Sequence, residues 1–260
     1  MRSIININDL QMEQSIYQLS LIVTGILNII MGLYLLPGNY RYKKYPIYYM
    51  ARICTTIWVL AFGIGYQLHA IFMWRFTWPT AASALTASYF HLAGICFSWG
   101  YTSLLNPRYL TRSIKIRDIS IFVFGLAAYW TVPLIWHDAP LYTLLSYCVF
   151  FGYAAYVVFV FYHTYSQVSM RLMKMSLGNV RDFVRWMQVC TDLIILFGIG
   201  SVVITALFPN DSLPFVLLLF AGVGMFSYMV YSIENYGKVI DPATRATLDV
   251  SMQRQKRKKV

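Results

Sequence analysis

The chain has 260 residues, of which 58% are hydrophobic and only 12% charged. Ordinary soluble domains carry about 25% charged residues, so this balance excludes a soluble globular domain and points to a polytopic membrane protein. The net charge of +11 would suit nucleic acid, but the basic residues sit in alternate loops, which argues for topogenic charge and anionic lipid head groups over specific nucleic-acid binding.

Lipid tolerates helices or closed barrels. A barrel would show alternating segments of roughly ten residues, whereas this sequence has long unbroken apolar runs. The expected fold is therefore all-α, a seven-transmembrane helix bundle.

In chain order, residues 1–14 read as a short polar extracytoplasmic lead with Asp9 and Glu13 and no cleavable signal pattern. The first expected span, 16–36, is charge-free but holds Gln18 and Asn28. Pro37, Gly38 and Asn39 should break it before a basic loop with Arg41, Lys43 and Lys44. The second span, 47–68, carries Arg52 near its start, and Trp74 and Trp78 mark an interfacial belt beyond its far end. The third, 81–105, is charge-free and holds His91. Arg108, Arg112, Lys115 and Arg117 follow as a second basic loop.

The fourth span, 119–136, contains Pro133 and leads into a tight outer turn with His137, Asp138 and Pro140. The fifth is 141–162. The connector 163–185 carries Arg171, Lys174, Arg181, Asp182 and Arg185, with apolar spacing that suits helical extensions of its neighbours. The sixth span, 186–208, contains Asp192, and the seventh, 213–233, stops at Glu234. The spans make one transmembrane domain, 15–236, and 237–260 form a basic cytoplasmic tail. There Asp241–Pro242 suits the start of a short helix, although a frayed tail resting on head groups is the simpler reading.

Of 21 Lys and Arg, all but Arg2, Arg52 and Arg75 fall in the three internal loops and the tail. That asymmetry places the N-terminus out and the C-terminus in. His69 and His137 are expected at the outer surface.

Charges inside spans are costly and usually face a protein interior. Arg52, Asp192 and Glu234 qualify, all within about two turns of the expected cytoplasmic face. Arg52 is thus placed to meet either Asp192 or Glu234, as a buried charge lock that senses helix movement or as a snorkelling structural pair. His91, expected among Tyr89, Phe90 and Trp99, reads as a proton-responsive or ligand-pocket group, or as a neutral histidine bonded to a neighbouring helix. Arg181, Arg185, Lys256, Arg257, Lys258 and Lys259 are candidates for relay and lipid contact.

Cys54, Cys96, Cys148 and Cys190 each lie in a different apolar run, without ligand spacing, so neither metal nor disulfide is expected. No HExxH, GxSxG or phosphate-binding loop occurs, and no catalytic residue or cofactor is assigned.

Three stretches carry a family resemblance: LLPGNYRYKKYP after the first span, FYHTYSQVSMRL through LGNVRDFVRWMQV in the connector, and YSIENYGKVI after the last. Over 15–236 the layout resembles the N-terminal seven-helix membrane module of Bacteroidetes-type membrane-anchored AraC-family regulators and related sensor kinases. The resemblance implies an inner-membrane sensor that passes a signal to a cytoplasmic output. Only 26 residues follow Glu234, whereas a DNA-binding or kinase domain needs about a hundred or more. The expectation is therefore a sensor-like module without its output, a truncated relative or a fragment, one that signals through a cytoplasmic or membrane protein partner, with oligomerisation left open. A small transporter or channel using Asp192, Arg52 and His91, or a structural subunit of a membrane complex, is the alternative.

Overall fold

The structure, a computed structural model, describes residues 7–135, 140–175, 180–208 and 211–257. All regular structure among them is helical. The elements are α1 (Ile7–Arg41), α2 (Pro46–Phe72), α3 (Trp74–Thr77), α4 (Pro79–Phe97), a π turn (Ser98–Thr102), α5 (Ser103–Leu105), α6 (Arg112–Ile135), α7 (Pro140–Met175), α8 (Val180–Leu207) and α9 (Leu213–Arg257).

Six helices, α1, α2, α6, α7, α8 and α9, are long and apolar enough to cross a membrane. The run 79–105 is helical throughout but contains Thr80, Ser83, Thr86, Ser88 and His91, and does not join the six. Its π turn has a packing role: a Cβ on Gly100 would lie 3.3 Å from Ala51 Cα and 3.2 Å from Cys54 Cβ, so backbone meets α2 closely there.

Side-chain contacts fix the helix directions. Gln18 Nε2 donates to Ala70 O at 2.9 Å, while Arg52 Nη2 donates to Leu35 O at 3.1 Å, so α1 and α2 are antiparallel. Trp130 Nε1 donates to Ser88 Oγ at 3.2 Å and Trp99 Nε1 to Asp118 at 2.8 Å, which makes α4 and α6 antiparallel. Met31 meets Ser227 and Arg52 meets Glu234, so α9 runs parallel to α1.

Helix α2 is the axis of the bundle, with 56% of its apolar run buried against 17% for α7 and 22% for α8. Its Phe62 ring lies 4.9 Å from both Phe90 and Phe226, and Trp58 meets Phe226 at 6.0 Å. Such edge-on aromatic pairs add about 0.5–1.5 kcal/mol each beyond area burial. At its far end Met73 adopts a left-handed conformation, φ 48°, which turns the chain into α3 and α4.

Four expectations change. Pro37 does not end α1, which continues to Arg41 because its last turns are held against α2 through Leu35 O. Within the described residues the tail neither frays nor restarts at Asp241, since α9 runs unbroken for 45 residues to Arg257. His69 is buried, not superficial, and its Nε2 pairs with Thr86 Oγ1 at 3.1 Å. Helix α1 starts at Ile7, inside the expected polar lead. The connector does extend both flanking helices, α7 to Met175 and α8 from Val180. His137 and Asp138 lie outside the described residues.

Helices α1 and α2 approach closely at Gly25 and Gly63, where a Cβ on Gly63 would sit 3.0 Å from Gly25 O and from Ile29 N. Backbone atoms cannot swing aside. Gly63→Ala should lower stability in detergent by about 1–3 kcal/mol, read from thermal unfolding. Gly198→Ala has nothing within 4 Å of the added atom and should be neutral or up to about 1 kcal/mol stabilising.

Candidate functional site

The first turns of α2 bring Arg52 inward at the end of the bundle that bears the Arg41–Lys44 loop. Arg52 is 1% exposed. A guanidinium in so apolar a place needs all its donors engaged. Nη1 donates to Glu234 Oε2 at 2.5 Å and to Tyr48 Oη at 3.1 Å, and Nη2 donates to Leu35 O at 3.1 Å. The guanidinium also lies 5.1 Å from the Tyr42 ring centroid. Tyr48 Oη donates in turn to Ile233 O at 2.6 Å.

One side chain thus joins the last turns of α1, the first turns of α2 and the middle of α9. Two glycines make the space: a Cβ on Gly38 would collide with Arg52 Nη2, and one on Gly237 with Tyr48 Oη. Of the two carboxylates expected within reach of Arg52, the fold supplies Glu234. Asp192 is not brought there. It accepts a hydrogen bond from Tyr162 Oη on α7 and is exposed on the outside of α8.

His91 is fully buried between α4, α6 and α7. Its Nδ1 is 2.9 Å from Tyr129 Oη, and its ring lies 5.3 Å from Phe122 and 4.9 Å from Tyr153. These neighbours, not Tyr89, Phe90 and Trp99, form its surroundings. A Cβ on Gly125 would come within 2.9 Å of the imidazole, so the close approach of α6 depends on that glycine. No hydrogen bond or ion pair among the described residues joins His91 to Arg52 or Asp192.

Sequence reasoning missed Asp118. It follows four basic residues and reads as a loop charge, yet it is fully buried in α6. Its carboxylate accepts from Trp99 Nε1 at 2.8 Å and from Arg117 Nε and Nη2 at 2.9 and 2.7 Å. Arg117 Nη1 also donates to Tyr156 Oη at 2.7 Å, which ties the π turn, α6 and α7 together. A lone acid at the end of a basic block was the available signal.

At the opposite end, Arg75 lies 3.3 Å from the Phe215 ring centroid and 5.6 Å from that of Tyr17. Burial pulls its guanidinium below the usual value, while Tyr17 and Asp211 act to raise it. Of the relay candidates, Arg185 is exposed at the start of α8. The side chains of Arg181 and of Lys256 to Lys259 lie outside the described residues, although the α9 backbone is described as far as Arg257. No group of three or more His, Cys, Asp or Glu able to hold a metal occurs among the described residues.

Removing one member of a buried pair strands the other charge and typically costs about 3–5 kcal/mol, whereas replacing both by apolar groups is often neutral. Arg52→Met should therefore lower unfolding stability in detergent by roughly 3 kcal/mol or more, and the double variant R52M/E234M should recover most of it. Equal losses in the single and double variants would mean that Glu234 is not the partner that matters.

No family model, curated protein or solved structure matches this chain.

Proposed function

We propose that the chain is a seven-span sensory or signal-transducing module, N-terminus out and C-terminus in, of a bacterial inner membrane. The observation that carries this is the continuity of α9. At 1.5 Å per residue its 45 residues extend about 68 Å, against about 30 Å for the hydrocarbon core. More than half of it lies beyond the core, and an unbroken helix passes displacement of its buried half to its far half. The Arg52–Glu234 pair sits near the end of its packed half, where Tyr236 and Ile240 still meet the core.

Seven spans are supported by helix direction. Helices α1 and α9 are parallel, so an odd number of alternating runs must connect them inclusively, and 79–105 makes the seventh. The orientation is supported by charge, since Arg41, Lys43, Lys44, Arg108, Arg112, Lys174 and Lys238 gather at the end that holds Glu234. The resemblance to membrane-anchored regulators agrees with a signal entering from the outer half and leaving through the tail to a protein partner. This reading assigns no catalysis or cofactor.

The transporter reading needs Asp192, Arg52 and His91 along one path. Their separate partners, Tyr162, Glu234 and Tyr129, favour the sensor.

Relay is tested by spin labels at Lys43 and Val250, with native cysteines replaced. Glu234→Gln should shift the measured distance distribution, because it loosens α9 from α1 and α2. An unchanged distribution would contradict the relay. Solute flux in liposomes that vanishes with Asp192→Asn would favour the transporter.

A further inference from the structure

Asp192 stands seven residues inside the apolar run Arg185–Thr205, about 10 Å along the helix. Charged side chains at such depth normally face a bundle interior or an aqueous cavity. Asp192 does neither: it is exposed on the outer face of α8 beside Tyr162 of α7, and its carboxylate is too short to reach far along the helix. Tyr162 occupies Oδ1, and Asp192 forms no ion pair among the described residues. Arg185, two turns away on the same helix, is exposed and makes no such pair.

Beside it runs an apolar groove of 390 Å³ between α8 and α9, lined by Leu193, Leu196, Leu218, Ala221, Gly224 and Tyr228 among others. A Cβ on Gly224 would meet nothing within 4 Å among the described residues, so none of them fills the space directly over it. Leu196, one turn beyond Asp192, is 66% exposed. Helices in lipid associate through such shallow faces of small residues and through polar contacts between them.

We infer that the α8–α9 face binds a transmembrane helix of a different protein, and that this helix presents a Lys, Arg or His to Asp192. Charge decides between occupants. A second copy packed on the same face adds another carboxylate and no cation at that depth. A foreign helix with a basic residue satisfies the carboxylate and fills the groove. The inference rests on the signalling reading only for what the partner does. Because α9 forms one wall of the groove and continues into the tail, a partner seated there touches the relaying helix directly.

A photo-crosslinking benzoyl-phenylalanine at Leu196 of the full chain, in its own membranes, tests this, with the same probe at Val123 on exposed α6 as control. Position 196 should yield one polypeptide adduct, absent at 123, and its crosslinked peptide should be a membrane span with a basic residue. Asp192→Lys should cut the yield about tenfold, and reversing the partner's cation to Glu should restore it. Ala221→Trp, which fills the groove and leaves the charge in place, should cut the yield as well. Unchanged thermal unfolding of each variant in detergent confirms that it is folded. No polypeptide adduct, meaning lipid alone covers the face, would overturn the inference. So would an adduct of two copies of this chain, or a yield indifferent to the charge. An adduct at 196 without any change in the spin-label distances would sink the relay and keep the partner; moved distances without an adduct would do the reverse.

Discussion

Lipid offers neither a donor nor an acceptor to a polar group, so every charge carried into the bilayer must be answered by protein. Arg52 is where this constraint shapes the fold most. Its donors are distributed over Leu35 O, Tyr48 and Glu234, and therefore over three helices that are distant in sequence. Gly38 and Gly237 are where they are because the guanidinium and the Tyr48 hydroxyl occupy the volume of a side chain there. Asp118 with Arg117 repeats the solution on the other side, joining α6 to the π turn and α7. The two clusters differ in a useful way. The first includes α9, the longest helix described; the second joins α6 and α7 with the π turn.

Much of the architecture is legible in the sequence because helix length and charge exclusion are one-dimensional properties. Apolar runs near Val23, Val59, Val123, Val157, Leu196 and Phe220 all fall on long apolar helices. What failed was local punctuation. Pro37 looks like a helix end and Asp241–Pro242 like a helix start, but α1 is held by Arg52 past the first and α9 simply continues through the second. The third run, read in the sequence as a charge-free span, is helical throughout, but its Ser, Thr and His content keeps it out of the six strongly apolar helices.

Site residues were legible as types and not as pairs. Arg52, Asp192 and Glu234 stand out as charges in apolar runs, yet which carboxylate reaches Arg52 depends on helix order around α2. That order places α9 beside α1 and leaves Asp192 on the outside of α8. Asp118 was hidden by its basic neighbours, and the surroundings of His91 depend on the rotation of α6 and α7, which no single-helix pattern encodes. The contrast between a satisfied Arg52 and an outward-facing Asp192 is what connects the fold to a role: one anchors α9, the other marks an open face next to it.

In the proposed topology the Arg52 end, the basic loops and the far half of α9 all lie on the cytoplasmic side of one membrane. Alkaline phosphatase fused after Val260, compared with the same enzyme inserted between Phe76 and Thr77, measures this directly. Seven spans with the N-terminus out predict an inactive fusion at Val260 and an active one at the aromatic loop. Strong periplasmic activity from the Val260 fusion would contradict the threading and the relay built on it.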